Sequence, residues 1–341
     1  MCSKTEVVSQ FIKSLTFLSE TIQVDKLIYE SLKGGGSAAT LYRFDLDKYP
    51  YVLRLFPLHT PPLTRMHQIM LAKQAGQMDF GPKIHFVDAQ LRGMVMEFIS
   101  GRTVEWADFK DGVCLAEFAK FLQRLHRSKV SFPLAVSPFK RFRDFYLKIE
   151  KTNGVLPSRF SEVKNLMEDL EAMFQLLPIN QVPSHLDLHP LNIMFWKNRF
   201  FLVDWVNGGM SDPYFDLATF SLFHGLNEER EILFLTHYFE HPPTCLEWNR
   251  FVVTQPIRLF VIAAALLSSN FDKSMTYEEM IRDMSLPTLS DFGKKGAIWP
   301  HPLLGISMFQ TALTLIDQEK FQCSLQDLKK HVSSYDLNTM I

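Results

Sequence analysis

Cysteine is scarce in this sequence and follows no pattern. The four cysteines among the 341 residues lie far apart, at Cys2, Cys114, Cys245 and Cys323. The sequence has no C-x-x-C pair and no cysteine–histidine cluster with the spacing of a zinc site. This excludes a secreted scaffold stapled by disulfides. We therefore expect reduced thiols and a cytoplasmic protein.

The sequence also lacks a charge excess and a long apolar run. The 36 Lys and Arg residues balance 37 Asp and Glu residues, which argues against nucleic-acid binding through bulk electrostatics. The apolar run at residues 259–267 has half the length of about 20 residues that crosses a bilayer, so we expect a buried helix there. The first 20 residues suggest an amphipathic helix without a signal-peptide cleavage site. We predict no nucleic-acid partner and no membrane span, and leave the oligomeric state open.

Hydrophobic residues are abundant, at 47% of the chain with 30 Phe, and this length suits two lobes with sizeable cores. Up to residue 100, short β-branched and aromatic runs alternate with Gly and Pro around one predicted helix at residues 64–76. From about residue 103 the apolar period becomes helical, apart from a hairpin turning at Lys197-Asn198 and a Pro/Gly-rich loop over about 284–305. The predicted fold is α+β, with a small β-rich N-lobe (1–100) and a larger, mainly helical C-lobe (101–341).

The most informative motif is H-x-D-x-x-x-x-N, formed by His185, Asp187 and Asn192, followed by Asp204 at the end of an apolar strand. Phosphoryl transfer to an alcohol needs a carboxylate that takes the hydroxyl proton and oxygen ligands that hold Mg²⁺. An Asp and an Asn five residues apart on one tight loop can supply a base and a metal ligand. Asp204, delivered by the following hairpin, would complete the metal site.

Upstream segments supply candidate nucleotide contacts in the expected order. A Gly-Gly-Gly-Ser sequence at residues 34–37 lies between two strand-like runs, where backbone N–H groups could cover phosphates. Arg54 lies within the apolar strand YVLRL and could reach nucleotide phosphates. The strand MEFISG, residues 96–101, ends at the predicted lobe boundary, and its backbone could pair with an adenine edge.

These motifs together resemble the aminoglycoside phosphotransferase and choline kinase superfamily, a relative of the protein kinases. The resemblance extends over roughly residues 30–220 and includes the D-P-x-x-D-L-A sequence that begins at Asp212. It implies a two-lobed protein-kinase-like fold that uses ATP and Mg²⁺ to phosphorylate a hydroxyl of a small molecule. The implied site consists of a catalytic base (Asp187), metal ligands (Asn192, Asp204), nucleotide-binding residues (Gly35, Gly36, Ser37, Arg54, Glu97, Phe98, Ile99) and structural support (His185, Asp212, Asp216).

The sequence departs from the family pattern at several positions. The helix after the Arg54 strand has no acid where the family usually has a Glu that pairs with the cation. Leu191 replaces the Gly that usually precedes the Asn. The Asp291-Phe292-Gly293 triplet spells the protein-kinase metal motif but lies about 100 residues beyond the catalytic loop, and we interpret it as a chance match.

The acceptor is the least determined element of the prediction. A choline- or ethanolamine-like amino alcohol would need an aromatic cage, and a polycationic aminoglycoside would need several acids. The candidate aromatics are Tyr214, Phe215, Phe223, Trp248, Phe271, Tyr277 and Trp299. The candidate acids are Glu228, Glu229, Asp272, Glu278, Glu279 and Asp283. We name the amino alcohol first and the aminoglycoside second, with an inactive nucleotide-binding module as the non-enzyme alternative.

Overall fold

The computed structural model describes residues 29–32, 39–46, 48–57, 59–151, 157–178, 180–268, 286–292 and 301–339. The predicted N-terminal helix and the Gly34–Ser37 loop lie outside these residues. The chain divides into two compact units. The first contains the described residues up to Arg102 together with Trp196–Val206, and the second contains Thr103–Phe195 and the described residues from Asn207 onward.

An antiparallel five-stranded sheet forms most of the first unit. Its strands are β1 (Tyr29–Leu32), β2 (Thr40–Leu46), β3 (Tyr49–Leu55), β4 (Ile84–Val87) and β5 (Gly93–Glu97), in the order β1-β2-β3-β5-β4. Residues two apart on β2 share a face, so Tyr42, Phe44 and Leu46 pack together with Leu53 and Val95. The strands predicted before residue 100 are present.

Helix α1 (Pro62–Gln77) packs against the other face of the sheet. A second apolar cluster there contains Phe56, Ile69 and Met94. Pro62 is the first helical residue, where the missing N–H costs no hydrogen bond. The helix ends one residue beyond the predicted Gly76, whose Cβ, if present, would lie 2.4 Å from the Pro82 carbonyl oxygen.

Helices dominate the second unit. They are α2 (Gly112–His126), α3 (Pro138–Lys151), α4 (Phe160–Leu176), α5 (Tyr214–Phe223), α6 (Glu228–Phe239), α7 (Cys245–Leu267), α8 (Leu289–Phe292), α9 (His301–Ile316) and α10 (Glu319–Thr339). The described residues also form five short strands, β6 (Arg102–Thr103), β7 (Val182–Ser184), β8 (Ile193–Trp196), β9 (Arg199–Leu202) and β10 (Gly209–Ser211), and three short 3-10 helices. The predicted α+β fold is confirmed.

Two local predictions have different outcomes. Lys197 and Asn198 both adopt positive φ angles, 49° and 58°, between β8 and β9, as a two-residue hairpin turn requires. The predicted loop over 284–305 is wrong in part, because residues 289–292 form α8 and α9 begins at His301. The carboxylate of Asp291 accepts hydrogen bonds from the N–H and hydroxyl of Thr288, which cap the short helix.

Helix α7 has the length and the apolar composition of a helix that could cross a membrane, but 83% of its most apolar 18-residue stretch is buried inside the protein. It contacts α3, α5, α9 and α10. Leu259, Ala263 and Ala264 have no exposed surface. Within the described residues α7 is therefore the core helix of the second unit, as expected for the apolar run at residues 259–267.

Candidate functional site

The loop that carries Asp187 leaves β7 through a residue in a strained conformation. Leu186 adopts a left-handed φ of 60°, which costs a non-glycine residue about 1–2 kcal/mol. Two long-range bonds hold it there: the Leu186 N–H donates to Asp216 Oδ1 at 2.6 Å, and Arg258 Nη2 donates to the Leu186 carbonyl at 2.9 Å. A strained residue that long-range hydrogen bonds hold in place is typical of functional loops. The conformation of Leu186 fixes the direction of the backbone at Asp187.

Two amides hold the Asp187 carboxylate by one oxygen. Asn192 Nδ2 donates to Asp187 Oδ2 at 3.1 Å and to the Asp187 carbonyl at 3.0 Å. Asn207 Nδ2 donates to the same Oδ2 at 3.2 Å, and His189 Nε2 lies 3.8 Å from it. Within the described residues no donor bonds Asp187 Oδ1, and the side chain is 25% exposed. The carboxylate is thus fixed in place with one oxygen available.

Asp216 supports this loop from a fully buried position. Its Oδ2 accepts the His185 N–H at 2.8 Å and contacts His126 Nε2 at 3.1 Å, while His126 Nδ1 contacts the Tyr238 hydroxyl at 2.7 Å. Burial by itself raises the pKa of Asp216, but the hydrogen bonds from His126 and the backbone outweigh it, and the pKa is held below its ordinary value. Asp216 is therefore an ionised carboxylate in the protein interior, and it organises backbone N–H groups of the loop.

Asp212 and His185 also lie at structural positions. Asp212 Oδ1 accepts the N–H of Tyr214 at 3.1 Å at the start of α5, and Oδ2 forms an ion pair with Arg250. Arg250 in turn donates to the Pro178 carbonyl at 2.8 Å. The His185 side chain is fully buried.

Two arginines place positive charge near Asp187. Arg258 is buried, and burial lowers its pKa, whereas Asp187 and Asp216 raise it. Arg141 of α3 is half-buried and donates to the Asn207 carbonyl at 3.1 Å. Burial and the neighbouring Arg258 lower the pKa of Arg141 to about 10, against a favourable contribution from Asp187. Both guanidinium groups are charged at neutral pH.

The first unit brings Arg54 and Asp204 together. Arg54 Nη2 donates to Asp204 Oδ1 at 2.7 Å, and the two side chains are only 9% and 19% exposed. Asp204, like Leu186, adopts a left-handed φ of 60°. Helix α1 has no acid to pair with Arg54, and the structure shows that Asp204 takes that place as its carboxylate partner.

The segment of residues 96–99, whose backbone was predicted to contact adenine, and the Gly81-Pro82-Lys83 segment make backbone contacts within the first unit. The Glu97 N–H donates to the Lys83 carbonyl at 2.8 Å, and the Phe98 N–H makes a long contact of 3.4 Å with the Pro50 carbonyl. Ile99 is 3% exposed. Gly81 lies against β9, because a Cβ there would be 2.8 Å from the Leu202 carbonyl oxygen. The loop containing Gly35, Gly36 and Ser37 lies outside the described residues.

Most of the described acceptor candidates contact other groups of the protein, and Glu229 is exposed. Phe215 and Phe223 belong to the main apolar cluster of the second unit. Arg250 lies 4.7 Å from the ring centre of Tyr214, and Lys320 lies 4.4 Å from that of Trp248. Glu228 pairs with Lys320 at 3.2 Å. The candidates Phe271, Asp272, Tyr277, Glu278, Glu279, Asp283 and Trp299 lie outside the described residues.

Neither Asn207 nor Arg141 was predicted from the sequence, although the sequence contains a signal for the helix that carries Arg141. Helix α3 was not predicted, yet Phe139, Phe142, Tyr146 and Ile149 are buried at spacings of three and four, which is the apolar period of a helix. That pattern identifies the helix but not which of its cations faces the site. Nothing in the local sequence around Asn207 distinguishes it as a ligand of Asp187.

The predicted metal ligands fit a hard cation by their chemistry. The Asn192 amide nitrogen donates to Asp187, so its amide oxygen is directed away from Asp187. Asp204 contributes a carboxylate. Carboxylate and amide oxygens are the ligands that Mg²⁺ takes. In the described part of the chain no three His, Cys, Asp or Glu side chains lie together as a metal cage.

Among solved structures, a choline/ethanolamine kinase family protein from Mesorhizobium loti has a similar fold, with a TM-score of 0.72 and 18% identity over 94% of this chain and 99% of that one. The choline kinase LicA from Streptococcus pneumoniae also shares the fold, with a TM-score of 0.68 and 19% identity over 92% of this chain and 98% of that one. These likenesses confirm the kinase-like fold.

Sequence comparisons identify the family. The chain is 29% identical over 161 residues to Protein LicA of Haemophilus influenzae, a match that covers 46% of this chain and 56% of that protein. The chain thus spans about half the length of such curated relatives. The model of the phosphotransferase enzyme family (APH) matches residues 29–248, well over half of the chain. The predicted resemblance is confirmed, and the chain belongs to the phosphotransferase enzyme family.

Proposed function

We propose that this protein transfers a phosphoryl group from ATP to a hydroxyl of a small molecule, with Asp187 as the catalytic base. The observation that carries the proposal is the asymmetric fixation of Asp187, whose Oδ2 accepts two amide N–H groups while Oδ1 is available. A base must lie within about 3 Å of the proton it takes. A carboxylate held by one oxygen can present the other to an acceptor hydroxyl.

Asn192 and Asp204 are the proposed Mg²⁺ ligands, and Arg54 is the proposed phosphate cation. When bound, Mg²⁺ neutralises charge on the nucleotide phosphates. Arg54 Nη2 donates to Asp204 Oδ1 at 2.7 Å, so the proposed phosphate cation and this proposed metal ligand are adjacent. The backbone of residues 96–99 is proposed to contact adenine. The Glu97 and Phe98 N–H groups donate to the Lys83 and Pro50 carbonyls, so the proposed adenine contacts of Glu97, Phe98 and Ile99 use the other backbone groups of this segment. Gly35, Gly36 and Ser37 are the proposed cover of the phosphates.

We propose a choline- or ethanolamine-like amino alcohol as the acceptor. The names of the similar structures, a choline/ethanolamine kinase family protein and a choline kinase, support this choice. An aminoglycoside is the alternative acceptor. A cytoplasmic location is proposed because the four cysteines lie far apart in the sequence and form no disulfide framework.

The test is a phosphorylation screen with Mg·ATP against choline, ethanolamine, aminoglycosides, sugars and other amino alcohols. We expect turnover with an amino alcohol and a fall in kcat of about 10²–10⁴-fold in Asp187→Asn, the range for loss of a general base. The control is Asp169→Asn, an exposed α4 residue, which should keep wild-type kcat. Turnover with aminoglycosides alone would reassign the acceptor. ATP binding without transfer to any alcohol would favour the inactive nucleotide-binding module.

A further inference from the structure

Arg141 is a cation without a carboxylate partner close to the proposed base. Its guanidinium donates to the Asn207 carbonyl at 3.1 Å, and the Asn207 amide donates to Asp187 Oδ2 at 3.2 Å. One residue therefore links the guanidinium to the carboxylate. Within the described residues no Asp or Glu oxygen lies within 4 Å of Arg141, although its neighbour Arg143 on α3 pairs with Glu171. Arg141 has further N–H donors that a ligand can use.

Arg141 and Arg258 differ in how far the protein itself uses their guanidinium groups. Arg258 interacts with both Asp187 and Asp216 and donates to Thr219 Oγ1 and to the Leu186 carbonyl. Its charge and its donors are therefore used by the protein itself. Arg141 is half-buried, repelled by Arg258, and bonded only to a neutral carbonyl. Asp187 is the nearby anion that favours the charge of Arg141, and an incoming anion would stabilise this partly buried cation further.

The proposed reaction brings one anion to this place. The acceptor hydroxyl must lie about 3 Å from Asp187, and an amino alcohol is itself cationic, so it offers no anionic group to Arg141. The phosphoryl group becomes bonded to that same hydroxyl oxygen and carries negative charge on its three other oxygens. Arg is suited to contact such oxygens because its planar guanidinium donates two parallel hydrogen bonds.

We propose that Arg141 contacts the phosphoryl group during transfer and stabilises the charge on its oxygens, a role that rests on the proposed function. In this step the acceptor oxygen forms a bond to the γ-phosphorus while the bond from that phosphorus to the bridging oxygen of ADP breaks. The hydroxyl proton passes to Asp187, and ADP leaves with the bridging oxygen. Arg141 neither gains nor loses a proton.

Arg141→Met is the main test variant, Arg141→Lys keeps a charge without the planar fork, and Arg143→Met is the matched control on the same helix. We expect Arg141→Met to lower kcat about 10²–10³-fold, the range for losing one transition-state donor. The KM values for ATP and for the acceptor should change less than about 3-fold. Arg141→Lys should lie between wild type and Arg141→Met, and Arg143→Met should keep wild-type kcat.

A binding measurement separates this role from a structural one. Calorimetry compares Mg·ADP alone with Mg·ADP plus aluminium fluoride, a mimic of the phosphoryl group in transfer, in the presence of the acceptor. Arg141→Met should bind Mg·ADP as wild type does but lose about 10²-fold in affinity for the fluoride complex. Thermal unfolding checks that each variant is folded, and Arg141→Lys serves if Arg141→Met is not.

Three outcomes contradict the proposal. A kcat within about 3-fold of wild type in Arg141→Met, with unchanged fluoride binding, overturns it while leaving the proposed function intact. A raised acceptor KM with unchanged kcat assigns Arg141 to ground-state acceptor binding and also overturns it. Wild-type protein that transfers phosphate to no alcohol overturns the proposed function and this inference together.

Discussion

At the scale of single residues, His224 is a buried histidine in an apolar setting behind the Asp187 loop. Its ring lies between Phe109 and Phe220, with centroid distances of 4.8 and 4.3 Å, and neither ring nitrogen makes a hydrogen bond within the described structure. Burial lowers the pKa of His224 to about 3, and the nearby His189 lowers it further, against smaller opposing contributions from Leu188 and Asp108. The folded protein thus keeps this ring neutral.

His224→Leu should therefore stabilise the protein at mildly acidic pH. The unfolded chain takes up a proton at His224 below about pH 6.5, whereas the folded protein does so only near pH 3. Unfolding is consequently favoured as the pH falls through this window, by about 1.4 kcal/mol per pH unit. Leucine removes the proton uptake, so the stability difference between variant and wild type should shift in favour of the variant by about 2 kcal/mol from pH 7 to pH 5.

Urea unfolding at pH 7 and pH 5 measures this shift. Because each protein is compared with itself at the two pH values, a packing effect of the substitution that does not depend on pH cancels. His241→Leu, at an exposed histidine, is the control and should show a much smaller shift. Equal pH dependence in wild type and His224→Leu would show that the ring is protonated in the folded state.

At the scale of secondary-structure elements, α7 carries two arginines that brace the candidate site. Arg250 pairs with Asp212, and Arg258, two turns later, bonds the Leu186 carbonyl. The helix begins with a reciprocal cap: the Glu247 N–H donates to Thr244 Oγ1 at 3.3 Å, and the Thr244 N–H donates to Glu247 Oε2 at 2.8 Å. This arrangement satisfies backbone groups that a helix start leaves without partners.

Thr244→Ala should lower the free energy of unfolding by about 1 kcal/mol, the usual cost of losing an N-cap threonine. Because Arg258 lies far along the packed helix, kcat should not change. Denaturant unfolding and steady-state kinetics of the same preparations test both statements. Thr314→Ala on α9, where the hydroxyl bonds the Gln310 carbonyl within the helix, should change stability by less than about 0.5 kcal/mol. A Thr244→Ala protein as stable as wild type would show that the cap contributes nothing.

At the scale of the whole molecule, nucleotide binding should be visible as a gain in stability. A ligand that binds only the folded protein at 100 times its Kd adds about 2.7 kcal/mol, which raises the Tm by about 4 °C in a protein of this size. We expect this rise with Mg²⁺ and a non-hydrolysable ATP analogue. Arg54→Met should lose most of the rise, since Arg54 is the proposed phosphate cation. Differential scanning calorimetry with and without the analogue measures both.

The control for this prediction is Arg199→Met on β9. Arg199 is exposed and lies 4.0 Å from Asp79, so its loss should leave the nucleotide-dependent rise unchanged. The comparison uses the difference between loaded and free protein, because Arg54→Met also leaves Asp204 without its partner. A full rise in Arg54→Met would remove Arg54 from the proposed nucleotide site.

Local features were predictable because their signals are contained in neighbouring residues. The alternation of Tyr42, Phe44 and Leu46 gives a strand with one buried face, and the Lys197-Asn198 pair supports a two-residue turn. The spacing of Asp187 and Asn192 places both on one loop, and five positions of separation are enough for the amide to reach the carboxylate. The family resemblance depends on such short motifs, and the family match confirms it.

Contacts across long sequence separations were decided only by the tertiary structure. Arg54 meets Asp204 across 150 positions, His126 meets Asp216 across 90, and Arg141 meets Asn207 across 66. No periodic or compositional signal encodes these pairs, because each depends on how whole elements pack. The sequence by itself determined the fold class, the family and the order of the proposed catalytic groups. Packing decided which carboxylate pairs with Arg54 and which cation lies near Asp187. Buried polar groups form ion pairs and hydrogen bonds only between elements that the apolar core brings together.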